Sequence, residues 1–249
     1  MSKSAIITGG GSGLGKATAL RLAEEGINIA VVDIDEEGGH ETVDLVKEQG
    51  ADAVFIKADV SNAEEVKNYV DKTVEAFGSI DYFFNNAGIS GSGEFYLDTE
   101  VSEIEKVVGI NLMGALYGVR YVAEVMMKNG GGSIVNTASS AGVIGQDSVV
   151  TYSATKHGII GLTKSMVAEY AKDGLRVNAI APGPTETKMV KEFYDNNPEM
   201  KENAEAGIPQ RRLGTPEEVA ELVAFLLTSK AKYINGEVVR IDGGFTNTK

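Results

Sequence analysis

Ser4-Ala-Ile-Ile-Thr8-Gly-Gly-Gly-Ser-Gly-Leu-Gly15-Lys16 is the stretch from which the fold can be read. Ser4–Thr8 is a short apolar run, the pattern of a strand buried on both faces. Glycines crowd the positions after it, and Lys16–Glu25 continues at helical spacing through Leu14, Ala17, Leu20, Arg21 and Ala23. A strand, a glycine loop and a helix start in that order present backbone N–H groups and a helix N-terminus to an anion. Two phosphate-binding patterns compete for it. The Gly-x-x-x-x-Gly-Lys-[Ser/Thr] loop matches Gly10 to Lys16, then fails at Ala17, where a hydroxyl is needed on magnesium. Thr18 comes one residue late. The pattern Gly-x-Gly-x-x-Gly is not met either; what stands here is Thr8-Gly9-x-x-x-Gly13-x-Gly15.

The next strand-like run, Asn28–Asp33, ends in a carboxylate 18 residues beyond Gly15. A dinucleotide site needs an acid there to accept hydrogen bonds from the adenosine ribose. Glu36–Gln49 reads as an amphipathic helix ended by Gly50, and Ala53–Lys57 as a third strand running into Asp59 and Val60. Ser61-x-x-Glu64 has the form of a capping box for a helix to about Phe77. Asp81–Asn85 is a fourth strand, followed by Asn86-Ala87-Gly88. Strands alternating with helices predict a parallel sheet with right-handed crossovers.

Further along, Leu97–Val108 and Leu112–Met127 read as two helices around Asn111. The second is apolar on nearly every side, so it should be buried from several directions. Its Met and Tyr residues are read as packing. Ser133–Ala138 is the fifth strand and delivers Ser139 at its carboxyl end; Tyr152 to about Lys172 is a long helix. Leu175–Ala181 runs into Pro182-Gly183, Thr215-Pro-Glu-Glu218 opens another helix, and Glu237–Ile241 is the seventh strand. Between 184 and 213 periodicity is poor, broken by Asn196-Asn197-Pro198, which suggests a substrate-binding loop or lid. The expectation is one α/β domain over 1–249, a doubly wound parallel sheet of about seven strands with helices on both faces.

Composition limits the partners. A net charge of −13 argues against nucleic acid and anionic membranes, and no apolar run reaches the length of a membrane span. The start Met-Ser-Lys-Ser leads straight into a strand, leaving no room for a signal peptide, so a cytoplasmic protein is expected. Without cysteines, and with only His40 and His157, neither a thiolate nor a zinc site is expected. Lys16 and His157 are read as surface or interface residues.

Function is concentrated at one edge. Thr8/Gly9, Asp33, Asp59, Asn86, Ser139 and Pro182 all fall at or just past carboxyl ends of predicted strands, where ligands bind in open parallel sheets. Tyr152 and Lys156 lie one helical turn apart on one face. A phenol titrates at about 10 in water, too high for a base at neutral pH. A fixed ammonium beside it should favour the phenolate and lower that value.

These motifs together resemble the short-chain dehydrogenase/reductase family over essentially the whole chain. The resemblance rests on Thr8-Gly9-x-x-x-Gly13-x-Gly15, Asn85-Asn86-Ala87-Gly88, Asn111, Ser139, Tyr152-x-x-x-Lys156, and Pro182-Gly183 with Thr187. It implies a Rossmann-type fold and hydride transfer between a nicotinamide cofactor and a ketone/alcohol pair. Tyr152 would be the general acid or base, Lys156 would also hold the nicotinamide ribose, and Ser139, selected by Ser-x-x-Gly142, would bind the substrate oxygen. Asn111 would hold a water in a proton relay. Cofactor contacts would come from Gly9, Ser12, Gly13, Leu14 and Gly15 in the first loop, and from Asp33, Asp59 and Val60 after the next strands. Asn86, Ala87 and Gly88 would follow, then Tyr152 and Lys156, and finally Pro182, Gly183, Thr185 and Thr187.

Asp33 implies NAD rather than NADP, because neither Ser12 nor Ile34, where related NADP enzymes carry positive charge, is basic. A nucleoside triphosphatase is disfavoured by Ala17. A catalytically silent dinucleotide-binding regulator would be expected to lose part of the Ser–Tyr–Lys set, which is complete here. The runner-up within the enzyme class is a 3-oxoacyl-carrier-protein reductase, usually paired with NADPH and a basic patch, neither of which is evident. Similar sequences reduce acetoin and diacetyl or cyclic diketones, or oxidise sugars and polyols. A small neutral ketone or secondary alcohol is the expected substrate, in a pocket lined from Ile89–Gly91, Ala141–Gln146, Gly183–Pro184 and Met189 to Tyr194. The apolar Leu112–Met127 helix and the Ala- and Gly-rich Tyr152–Lys172 helix would pair across two-fold axes, and the last strand would support a second contact, in a homotetramer.

Overall fold

The computed structural model describes residues 2–187, 190 and 198–248. Among them, seven parallel strands form one sheet in the order β3-β2-β1-β4-β5-β6-β7. They are β1 (Ser4–Thr8), β2 (Asn28–Asp33), β3 (Ala53–Lys57), β4 (Tyr82–Asn85), β5 (Gly132–Thr137), β6 (Leu175–Pro182) and β7 (Val238–Ile241). The chain winds outward from β1 to β3, then returns to the other side of β1 with β4. That reversal opens a crevice above the carboxyl ends of β1 and β4.

The strand sequences explain why helices cover both faces. All five residues of β1 are buried, and alternate side chains enter different cores. Ala5 and Ile7 join Ala19 and Leu22 of α1 (Gly13–Ala23), Val43 and Val46 of α2 (Glu36–Glu48), and Val223 and Leu226 from Pro216–Leu227. Ile6 joins Val66 and Tyr69 of α3 (Ala63–Phe77) and Val119, Val122 and Met126 from Gly114–Lys128. Each large apolar side chain buried this way stabilises the fold by about 1.5–3 kcal/mol. The two-faced apolar pattern of β1 thus requires a doubly wound fold.

Several element ends differ from expectation. The helix expected from Leu97 begins at Val101 as α4 (Val101–Val108), since Leu97 lies in a turn and is 95% exposed. Gly109–Met113 is a π-helical turn leading directly into α5 (Gly114–Lys128), so Asn111 sits on a widened turn between two helices in line. Contrary to its composition, α5 buries one stripe through Gly118, Val119, Val122 and Met126, while Leu116 is exposed. Asn62, not Ser61, caps α3, accepting from Glu64 N and Glu65 N, because Ser61 is committed to Asp59.

The long helix α6 spans Val150–Tyr170, and a 3-10 turn completes the stretch to Asp173. The segment 184–213 contains a helix, α7 (Pro198–Ala206), followed by α8 (Pro216–Leu227), whose Thr215–Glu218 capping box is formed as read. Asn196, Asn197 and, but for Val190, the Met189–Tyr194 stretch lie outside the described residues. No helix among the described residues is long and apolar enough to cross a membrane.

Candidate active site

The first loop is folded tightly enough to need its glycines. Gly9 and Gly13 have φ of +65° and +49°, a region that disfavours side chains, and a β-carbon on Gly15 would run into the Gly9 carbonyl oxygen. Thr8 ties this loop to its neighbour across the crevice. Its Oγ1 accepts from Asn86 N at 2.9 Å and Ala87 N at 3.1 Å, and Asn86 Nδ2 donates to Thr8 O at 3.0 Å. Asp33 holds the loop from the other side, its Oδ2 accepting from Gly11 N at 2.8 Å and its Oδ1 from Asp35 N at 3.0 Å. The carboxylate is therefore fixed at the end of β2, beside the exposed Ile34.

At the other end of the crevice α6 brings the reactive groups together. Gly142 allows this approach, since a β-carbon there would lie 2.9 Å from the Lys156 backbone. Ser139 leaves β5 in extended conformation, and its Oγ accepts from Ala141 N at 3.2 Å. Its side chain also hydrogen-bonds Tyr152. Lys156 is buried, donates from Nζ to Thr137 O at 2.8 Å, and lies 5.4 Å from the centroid of the Tyr152 ring.

The electrostatics differ from the simple Tyr–Lys reading. Burial raises the Tyr152 phenol above its ordinary value, and the bond from Ser139 only partly offsets it. Burial also lowers Lys156 to about 8, and the desolvation of the phenol outweighs what its neighbours do for the phenolate.

Asn111 is buried, with both ends of its amide on one backbone segment. Ile89 N donates to its Oδ1 and its Nδ2 donates to Ile89 O, both at 2.8 Å, and Nδ2 also reaches Thr155 Oγ1 at 3.5 Å. Asn111 therefore anchors the loop after β4 to α6. Asp59 is similarly engaged in its turn, accepting from Ser61 N and Oγ.

A cleft of about 790 Å³ runs from Asp33 to Tyr152 and Lys156. Of the residues expected at the cofactor, Gly9, Ser12, Gly13, Leu14 and Asp33 line it, as do Asp59 and Val60. Asn86, Ala87, Gly88 and Thr187 complete that set, with Thr187 Cγ2 3.3 Å from where a Gly13 β-carbon would stand. Gly15, Pro182, Gly183 and Thr185 are not among its lining residues. Gly15 is pressed onto Gly9, Pro182 pairs with Ile241, Gly183 N donates to Ile241 O, and Thr185 Oγ1 donates to Gly183 O.

Val32, Ala58, Ile110 and Thr137 also line the cleft and, unlike Ile34, were not singled out from the sequence. Val32, Ala58 and Ile110 each adjoin a motif residue and Thr137 lies two before Ser139, and that proximity was the available signal. Beside Tyr152 a narrower recess is lined by Ser90, Gly91, Glu94, Tyr96, Glu103 and Val149, among others. Ser90, Gly91 and Ser148–Thr151 line this recess, and Ala141–Gln146 do not. Pro184 lines a separate cavity near Arg212 and Arg240.

A long crevice at the sheet switch point, with fixed glycine turns at one end and a Ser–Tyr–Lys cluster at the other, fits an extended dinucleotide. An acid would meet the ribose end of such a ligand, and backbone N–H groups would meet its phosphates. Comparison with known proteins agrees. Residues 9–246 match the family model described as Enoyl-(Acyl carrier protein) reductase. Levodione reductase of Leifsonia aquatica is 45% identical over 248 residues, covering 96% of this chain and 92% of that protein. A crystal structure of levodione reductase superposes with a TM-score of 0.93 at 43% identity, covering 99% of this chain and 98% of that one.

Cyclohexanol dehydrogenase of Acinetobacter sp. (strain SE19) is 40% identical over 246 residues, covering 99% and 96%. The 3-oxoacyl-[acyl-carrier-protein] reductase of Staphylococcus aureus is 38% identical over 245 residues, covering 98% of each. The chain belongs to the short-chain dehydrogenase/reductase family, whose members bind a nicotinamide dinucleotide. It is an oxidoreductase acting on alcohol/ketone groups.

Proposed function

We propose that the protein is an NAD(H)-dependent oxidoreductase for small neutral ketones and secondary alcohols, with Tyr152 as general acid/base. The observation that carries this reading is the meeting of Ser139, Tyr152 and Lys156 at one end of a cleft whose other end is closed by Asp33. A bound nicotinamide would supply or accept the hydride. In the reducing direction the Tyr152 hydroxyl gives its proton to the carbonyl oxygen while the Ser139 hydroxyl stabilises the charge growing there. Lys156, held against Thr137 O, faces the Tyr152 ring, and burial brings its pKa down to about 8, which eases proton exchange near neutral pH. Asn111 positions the Ile89 loop and, through Thr155, the first turns of α6.

The recess beside Tyr152 favours a neutral substrate. Lys156 is the only basic side chain among the described residues lining the cleft or the recess, whereas Glu94 and Glu103 both face the recess. The names of the levodione and cyclohexanol relatives point to cyclic ketones and alcohols. The Staphylococcus aureus relative favours a second reading, a 3-oxoacyl-carrier-protein reductase, which the acidic recess and Asp33 oppose. A panel of cyclic ketones, diketones, acetoin, sugars and acyl thioesters, followed by NADH absorbance, separates the two. Turnover confined to acyl thioesters with NADPH would replace the first reading by the second.

We also assign to this reading a single domain with a substrate lid within 184–213, a cytoplasmic location and a homotetramer. The exposed Leu116 of α5 and Val150 of α6 support one two-fold contact, and edge strand β7 with the exposed Phe225 of α8 supports another. Light scattering at micromolar concentration tests the assembly, and a monomer there would overturn it.

A further inference from the structure

The chain contains two Asn-Gly pairs, Asn129-Gly130 and Asn235-Gly236, and the fold treats them oppositely. Asn235 is locked. Its Oδ1 accepts from Val177 N at 2.8 Å, its Nδ2 donates to Leu175 O at 3.3 Å, and Gly236 N donates to Val177 O at 2.9 Å. The amide carbon and the nitrogen that would attack it are thus both tied to β6. Asn129 caps the C-terminus of α5, is exposed, and its side chain has no hydrogen-bond partner among the described residues. Gly130 N makes only a long bond, 3.3 Å, to Met127 O. Gly130 and Gly131 follow with φ of +88° and +116°, so no side chain shields that nitrogen or opposes rotation of the turn.

From this contrast we infer that Asn129 is a site of spontaneous deamidation in the folded protein and that Asn235 is not. Gly130 N attacks Asn129 Cγ, a C–N bond forms to close a succinimide, the Cγ–Nδ2 bond breaks, and ammonia leaves with the proton from Gly130 N. Water then opens the ring at either carbonyl, giving aspartate or isoaspartate. No oxidant or enzyme is required. The product places a carboxylate at the negative end of the α5 dipole, an unfavourable position. Isoaspartate also inserts a backbone carbon into the turn in which Gly131 N bonds Met126 O at 2.9 Å, and so loosens the start of β5 at Gly132.

The test is to age the full chain in mildly alkaline buffer and follow both peptides by mass spectrometry. The gain is about 1 Da per site, and isoaspartyl methyltransferase labelling identifies isoaspartate. In the folded protein the Asn129 peptide should convert at least about tenfold faster than the Asn235 peptide, because reaction at Asn235 requires local unfolding. In the urea-unfolded chain the two rates should converge. Asn129→Gln should abolish isoaspartate at that site and leave fresh activity unchanged. Equal rates in the folded protein, faster conversion at Asn235, or a difference that persists unchanged in urea would each overturn the assignment.

Discussion

Lys156 Nζ and the Thr137 carbonyl oxygen are 2.8 Å apart, joining the second turn of the active-site helix to the last residue of β5 inside a buried environment. That bond holds the ammonium, yet burial still lowers its pKa to about 8. The folded chain therefore loses this proton before the unfolded chain does, and between about 8 and 10.5 the unfolded state binds more protons. By linkage the Lys156 contribution to stability is fully present above the unfolded value and is lost as pH falls through that window toward 8. Urea unfolding of the wild type against Lys156→Met should show the wild type gaining relative stability from pH 8 to 10, with a slope of at most about 1.4 kcal/mol per pH unit. A flat difference would remove burial as the cause.

Tyr152→Phe should fold normally and lose turnover by several orders of magnitude, since only a hydroxyl is removed. Ser139→Ala should cost roughly 100- to 1000-fold in kcat if its hydroxyl stabilises the developing oxyanion. It should also weaken the hold on Tyr152, shifting the alkaline limb of the oxidation profile upward, because the bond from Ser139 lowers the phenol pKa. Kinetics across pH with a slow substrate measure both effects. A Ser139→Ala profile identical to wild type would separate the two residues.

How much of this was legible in the sequence depends on which residues act alone. The number of strands and their parallel, doubly wound arrangement followed from the alternation of apolar runs and helical spacing, which survives any detail of packing; the strand order did not. Asp33, Gly13 and Asn86 could be placed because their roles are set by local backbone position. The direction of the Tyr152 shift could not, because it is set by burial under distant segments, which the bond from Ser139 only partly offsets. The recess beside Tyr152 was likewise hidden. Glu94, Glu103 and Ser148 come from three separate loops and helices, and no spacing in the sequence brings them together.

Cofactor preference rests on Asp33. A 2′-phosphate at about 5 Å from that carboxylate costs roughly 3 kcal/mol per like-charge pair at an effective dielectric of about 20. Each ~1.4 kcal/mol is tenfold in affinity, so NAD(H) should be preferred by about a hundredfold or more. Asp33→Ser with Ile34→Arg should shift the preference toward NADP(H). Ile34 is 64% exposed beside the cleft, so an arginine there can reach a phosphate without disturbing the core. Comparing kcat/KM for both cofactors decides the matter, and equal values for the wild type would sink the argument from Asp33.

The recess beside Tyr152 also contains backbone strain that can be measured. Ser148 has φ of +58°, one of two non-glycine residues with positive φ among the described residues, and it lines the recess with Val149 and Val150. A left-handed residue with a β-carbon costs roughly 1–2 kcal/mol. Replacing it with glycine removes that cost but makes the unfolded chain more flexible, which offsets about 0.4–1 kcal/mol. The first effect is the larger, so Ser148→Gly should stabilise the protein by about 0.5–1 kcal/mol, the difference of those two terms. Ser148→Val should destabilise it, since a β-branched side chain tolerates that backbone least. The same pair separates strain from contact in catalysis. If Ser148 only shapes the wall, glycine should raise KM by loosening it and leave kcat near the wild-type value. Urea midpoints and steady-state kinetics of the two variants give both answers, and a destabilised glycine variant would show that the Ser148 side chain contributes more than its backbone costs.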